Sequence, residues 1–163
     1  MQTIIWKALE YPGMEHLFLD DSKSVFYAHS VVIAAENPTP FRLDYIVKCD
    51  GTYAVREVNL SLGVLPHGGV YLTSDGQGNW FDRTQKPLPE LAGCIDVDIS
   101  ATPFTNTLPI RRIQWQVGQT ETFRMVYILV PGLKLSVMRQ RYTCLEKTAQ
   151  GATFRYENVD DDF

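Results

Sequence analysis

Apolar and polar residues alternate along most of this chain with a period of two, the repeat of a strand. In VFYAHSVVI, residues 25–33, Val25, Tyr27, His29, Val31 and Ile33 share one face. In FRLDYIVK, Phe41, Leu43, Tyr45 and Val47 share a face, with Arg42, Asp44 and Lys48 opposite. TFRMVYILV aligns Phe123, Met125, Tyr127 and Leu129; LKLSV aligns Leu133, Leu135 and Val137; ATFRYE aligns Ala152, Phe154 and Tyr156. Turn signals separate the runs: NPTP at 37–40, Asp50-Gly51, DGQGN at 75–79, and PG at 12 and 131. The nine prolines leave no long helical window intact, and QKPLPELAG, with two prolines in three residues, reads as an extended loop. Many short strands between turns predict an all-β, antiparallel domain. With 163 residues and no linker or repeat, the chain is expected to form a single domain over 1–163.

Two strands mix charge into the face expected to be buried. AVREVNLSL puts Arg56 in phase with Ala54, Val58, Leu60 and Leu62. IRRIQWQV, read as a strand, puts Arg111 in phase with Ile113, Trp115 and Val117. A guanidinium on an apolar face costs several kcal/mol unless paired, so each needs a carboxylate, carbonyls, a ligand, or a route out to a rim.

The densest polar chemistry lies in CIDVDISATPFTNTLPIRR, residues 94–112. Its strand turns Ile95, Val97 and Ile99 one way and Asp96, Asp98 and Ser100 the other. A loop from Ala101 to Pro109 follows, in which Pro103 and Pro109 are expected to hold Thr102 and Leu108 extended. Ser100, Thr102, Thr105, Asn106 and Thr107 can bond local backbone and stiffen it. Arg111 and Arg112 then begin the next strand. Two readings stay open. The rigid loop positions groups for a polar ligand, or Asp96 or Asp98 simply pairs with Arg111 or Arg112 while the hydroxyls satisfy a buried corner.

Other candidates carry the same ambiguity. Glu15 shares a strand face with Leu17 and Leu19, so it points inward, as a cavity carboxylate or as the partner of Arg56 or Arg111. Trp80 follows a Gly-rich loop and Trp115 sits beside the arginine pair; such aromatics stack on a ligand at a groove mouth or pack a core. RQRYT places Arg139 and Arg141 opposite Gln140 and Tyr142.

Composition narrows the function. The formal charge of −4 is concentrated at the C-terminus, where Glu157, Asp160, Asp161 and Asp162 read as a solvated acidic tail over 157–163. The remaining near-neutral body lacks the basic stripe that nucleic acid requires. The start shows no signal-peptide pattern and no window suits a membrane span. Cys49, Cys94 and Cys144 are odd in number and far apart, which reads as reduced thiols in a cytoplasm. His16, His29 and His67 and the cysteines lack metal-site spacing, so neither metal nor cofactor is expected. No nucleophile elbow is present. Asp96 and Asp98 would lie ~7 Å apart along their strand, a separation that superficially suits glycoside chemistry.

The 94–112 segment, the W-K-x-L-E and G-M-E-H opening, C-D-G-T-Y-A-V-R, G-N-W and Q-R-Y-T together resemble the bacterial family described as "putative glycolipid-binding". The resemblance runs over nearly the whole chain in order. It implies a strongly curved many-stranded antiparallel sheet, a spiral β-roll or half-barrel similar in shape to lipoprotein carriers that hold acyl chains. It also implies a lipid-like or glycolipid partner. The positions matching its motifs are Glu15, Arg56, Trp80, Asp96, Asp98, Thr105, Asn106, Arg111, Arg112, Gln140 and Tyr142. With Trp115 these form the expected ligand-binding set, in which Arg56, Arg111 and the 102–107 loop meet a polar head. The competing readings are a hydrolase on a glycosyl or acyl ester using Asp96, Asp98 or Glu15, and a structural protein without a ligand. Exposed sheet edges also allow a homodimer.

Overall fold

The computed structural model describes residues 1–22, 25–36, 39–63 and 68–160. Seven strands form one antiparallel meander in chain order: β1 (Gln2–Lys7), β2 (Gly13–Ser22), β3 (Val25–Glu36), β4 (Thr39–Asp50), β5 (Val55–Leu62), β6 (Gly69–Ser74) and β7 (Trp80–Phe81). Its edges β1 and β7 do not pair with each other, so the sheet stays open rather than closing into a barrel. A second sheet holds β8 (Asp96–Ile99), β9 (Thr120–Leu129), β10 (Lys134–Lys147) and β11 (Ala152–Asn158) in the order β11-β10-β9-β8. β8 runs parallel to β9, and the other pairs are antiparallel. A parallel pair needs a crossover rather than a hairpin. Residues 100–119 supply it, and they carry the candidate chemistry.

Leu17 and Leu19 of β2, Phe26, Ala28 and Val32 of β3, Leu43, Tyr45 and Val47 of β4 and Val58 and Leu60 of β5 form the buried face of the large sheet. Val97 and Ile99 of β8 and Phe104 and Leu108 of the crossover cover it. Phe104 stacks on Phe26, centroids 5.9 Å apart, and on Tyr45 at 6.3 Å. All four residues of β8 are buried, because β8 lies between the large sheet and its own neighbours.

The crossover departs from the expected extended loop and strand. Phe104–Asn106 form a 3-10 turn and α1 (Thr107–Arg112) is a short helix. Pro109 is the third residue of α1, in the first turn, where its missing N–H leaves no bond unmade. Leu108 is therefore helical rather than extended, and residues 113–119 enter β9 without forming a strand. A single 3-10 turn at Pro89–Leu91 likewise interrupts the segment read as an extended loop.

Three other expectations change. In β3 the buried set is Phe26, Ala28, Ser30, Val32 and Ala34, while Ile33, from the apolar row read in the sequence, is 63% exposed. Both rows of that strand are apolar, and the position of the second layer selects which one is covered. In β5 a bulge between Lys48↔Glu57 and Cys49↔Val55 breaks the alternation, so Val55 and Val58 are both buried and Arg56 points outward. At the C-terminus Glu157 and Asn158 belong to β11, and Asp160 accepts hydrogen bonds from the Arg139 backbone N–H at 2.6 Å and Nε at 2.7 Å. The acidic end is thus tied down at least to Asp160, while 161–163 lie outside the described residues.

Candidate ligand-binding site

The crossover joins two buried polar networks through hydroxyls three residues apart. The Thr102 Oγ1 accepts from the Phe104 N–H at 3.0 Å and lies 3.3 Å from the Tyr45 hydroxyl. The Thr105 hydroxyl accepts from the Ile99 N–H at 3.2 Å and donates to Asp98 Oδ1 at 2.9 Å. These bonds fix the turn, as the row of hydroxyls and prolines leads one to expect.

On the Thr105 side, Gln140 Nε2 donates to Asp98 Oδ2 at 2.6 Å. The Tyr142 hydroxyl donates to Asn106 Oδ1 at 2.7 Å and lies 3.1 Å from Gln140 Oε1. Asp98 therefore has donors on both oxygens, all of them neutral. Burial pushes its carboxyl above the usual carboxylate range, and the bonds from Gln140 and Thr105 pull the other way. Burial and the nearby Asp98 push the Tyr142 hydroxyl up as well, so it remains a donor.

Asp96 is held differently. Arg112 binds it in a two-point fork, Nη2 to Oδ2 at 2.7 Å and Nε to Oδ1 at 3.2 Å. The guanidinium lies 5.2 Å from the Phe123 ring centre. Burial still raises the Asp96 carboxyl, with Arg112 acting against it.

On the Thr102 side is Glu15, 4% exposed and inward with Leu17 and Leu19 as its phase predicts. It receives neither Arg56 nor Arg111. Its Oε1 accepts from the Ser30 hydroxyl at 2.7 Å and the Tyr45 hydroxyl at 2.6 Å. Burial, followed by the adjacent Glu15, holds the Tyr45 phenol well above its ordinary value, so it stays protonated and donating. Glu15 Oε2 has no hydrogen-bond partner and is the one buried side-chain polar atom in that condition among the described residues.

Beyond the ends of β3 and β4 nearest these groups, the two sheets leave a cleft of about 670 Å³. Pro12, Ala35 and Phe41 form its wall from the large sheet, and Ala101, Leu129 and Val130 its wall from the small one. Glu10 and Ser100 supply polar points, and Tyr11 stands at the boundary with a smaller pocket of about 90 Å³ that reaches Glu15. Mainly apolar walls with a few polar groups, at this volume, are the usual make-up of a small-molecule site.

A family model described as "Putative glycolipid-binding" matches residues 3–163. The chain belongs to that family. A crystal structure of a DUF1089 family protein from Pseudomonas aeruginosa matches with a TM-score of 0.80 at 31% identity, over 96% of this chain and 82% of that one. Among curated proteins there is no match.

The positions singled out by the family resemblance divide into groups. Asp98, Thr105, Asn106, Gln140 and Tyr142 form one network, Asp96 and Arg112 an ion pair beside it, and Glu15 a separate site across the crossover. Arg56 and Arg111 are not buried among the apolar residues of a strand face. Arg56, its side chain 46% exposed, reaches Asp50 at 3.8 Å and the Asp75 carbonyl. Arg111, 41% exposed at the end of α1, bonds Asp21 at 2.8 Å and covers Phe26 and Tyr53. Asp21 lies six residues beyond Glu15 on β2, ~20 Å away, so Arg111 is at the far end from the cleft. The indole N–H of Trp80 donates to the Cys94 carbonyl at 2.7 Å within the core, and that of Trp115 to the Ile110 carbonyl at 2.9 Å. Neither tryptophan lines the cleft.

Sequence reasoning missed Tyr45, Ser30, Trp6, Tyr11 and the cleft residues as site groups. Tyr45 carried a signal: its inward phase on β4 matches that of Glu15 on β2, and two polar-tipped residues in one core require each other. Among the described residues no set of three His, Cys, Asp or Glu side chains is grouped to hold a metal, and the three cysteines are unpaired.

Proposed function

We propose that this protein binds a lipid-like amphiphile, with the apolar part in the cleft between the two sheets. The supporting observation is the cleft itself, about 670 Å³ with walls of Phe41, Leu129, Val130, Ala35 and Pro12. The middle of the large sheet is covered by Phe104, so a ligand would occupy the end of this face rather than its centre. The polar head, in this reading, meets groups near Tyr11 and Glu15, not Arg56 or Arg111. The family description supports the same ligand class. Among the described residues no helix is long and apolar enough to cross a membrane.

Binding is favoured over turnover. Asp96 and Asp98 have every oxygen occupied by an internal donor, and neither lines the cleft. A screen on chromogenic glycosides and esters tests the hydrolase alternative directly.

Native mass spectrometry of the gently purified protein, with thermal shifts against a lipid panel, tests the binding reading. Ala101→Trp fills the cleft from its small-sheet wall and is expected to weaken lipid binding at least tenfold while the protein stays folded. Absence of any bound or stabilising lipid in the parent protein would sink the proposal. The sheet edges leave association of two copies open, which light scattering after size exclusion reads directly.

A further inference from the structure

Glu15 lies opposite Trp6 in the β1–β2 ladder, and both line the small pocket that Tyr11 divides from the cleft. The pocket measures about 90 Å³, several times what one water needs. Pro103 of the crossover and Val32 of β3 complete its apolar side, and Lys7 stands on its wall.

A buried carboxylate oxygen without a donor has lost its water and gained nothing in exchange, and native proteins rarely leave one so. Here the second oxygen of the same carboxylate takes two hydroxyl donors, from Ser30 and Tyr45. The group is thus held rigidly, with its remaining acceptor left to whatever enters the pocket. The partners of Glu15 among the described residues are the hydroxyls of Ser30 and Tyr45, and the residues lining the pocket include no second carboxylate to hold a cationic guest. An anionic guest would meet the carboxylate. A neutral hydroxyl meets neither objection. An aromatic ring beside a fixed acceptor also matches the two sides of a sugar, the indole facing C–H groups and the carboxylate accepting from O–H.

We infer that Glu15 and Trp6 form a subsite for a neutral polyhydroxyl head group, with Glu15 Oε2 accepting a hydrogen bond from a ligand hydroxyl. The inference deepens the amphiphile reading and rests on it for the tail. Because Tyr11 borders both spaces, a head in the pocket and a chain in the cleft are neighbours.

Calorimetric titration with octyl glucoside below its micelle concentration, and with 1-octanol, separates head from tail. Glu15→Gln keeps the shape but turns the orphan acceptor into a donor. Octyl glucoside is expected to bind this variant at least tenfold more weakly than the parent, with octanol unchanged. Trp6→Leu, on a half-buried position, serves as a second variant should Glu15→Gln fail to fold, and is expected to show the same selective loss. Octyl glucoside binding equally to parent and folded variants overturns the subsite and leaves the lipid reading intact. Glucoside binding that depends on Glu15 while octanol does not bind at all keeps the subsite and overturns the lipid reading. Failure of both probes to bind the parent overturns both.

Discussion

Asp96 and Asp98 stand two residues apart on β8 with both carboxylates buried, and a guanidinium faces only the first. Asp98 is met by a hydroxyl and an amide, with no cation paired to it among the described residues. The difference follows from α1, which aims Arg112 at Asp96 and Arg111 away to Asp21. Adjacent residues on a helix diverge by about 100°, where on a strand they would alternate.

The unpaired carboxylate makes a pH prediction. Burial raises Asp98 above its unfolded value of about 3.9, so the folded chain holds that proton more tightly. Its contribution is fully present below pH ~4 and is lost as pH rises through the folded-state value. Asp98→Asn removes this titration. The new amide accepts from Thr105 and, once the Gln140 amide turns over, donates to Gln140 Oε1 while Gln140 donates to the Tyr142 oxygen. We expect the variant to melt about 2–4 °C higher at pH 8, roughly 1 kcal/mol, with the advantage shrinking towards pH 4. A gap independent of pH would rule out Asp98 as the titrating group.

Arg112→Met leaves the Asp96 carboxylate, 1% exposed, without its cation. The expected loss is about 3–5 kcal/mol in urea unfolding at pH 7. It should diminish at pH 4, where Asp96 takes up a proton. Adding Asp96→Leu should recover most of it, because the cost lies in the stranded charge rather than in the lost pair.

Phe104→Ala removes the ring stacked on Phe26 and Tyr45 and should cost about 3–5 kcal/mol. Intact secondary structure in far-UV circular dichroism together with a lower urea midpoint would show that the crossover staples the sheet rather than nucleating it.

Gly78 has a φ of +96°, and a Cβ there would lie 2.9 Å from the Gly93 Cα. The Gly93 N–H donates to the Gly78 carbonyl at 2.9 Å, next to the Cys94 carbonyl that holds the Trp80 indole. Gly78→Ala is expected to destabilise by more than about 2 kcal/mol, since both backbone strain and a backbone clash oppose it. Red-shifted tryptophan emission would report the loosening of Trp80.

Arg56→Ala and Arg111→Met should each lower stability by less than about 1 kcal/mol, because their ion pairs are half in water. Lipid binding should be unchanged in both. A selective loss of binding in either would return the arginines to the site.

Period-two alternation determined β2, β3, β4 and β5 of the large sheet, though not its outer strands β1, β6 and β7, and the inward phase of Glu15, Leu43, Tyr45 and Val58 follows from it without coordinates. So does the prominence of 94–112, since a run of acids, hydroxyls, prolines and arginines needs internal partners wherever it is placed. Tertiary structure decided which partner each obtained. A one-residue bulge opposite Lys48 carried Arg56 out to solvent, and a six-residue helix took Arg111 off the apolar face that a strand would have given it. Both are local breaks in a repeat, and once the repeat breaks, phase no longer predicts a face. The burial of Phe26 rather than Ile33, the hollow between the sheets and the unmatched oxygen of Glu15 arise where separate segments meet. Distances between segments far apart in the chain are fixed by packing, which no local pattern encodes.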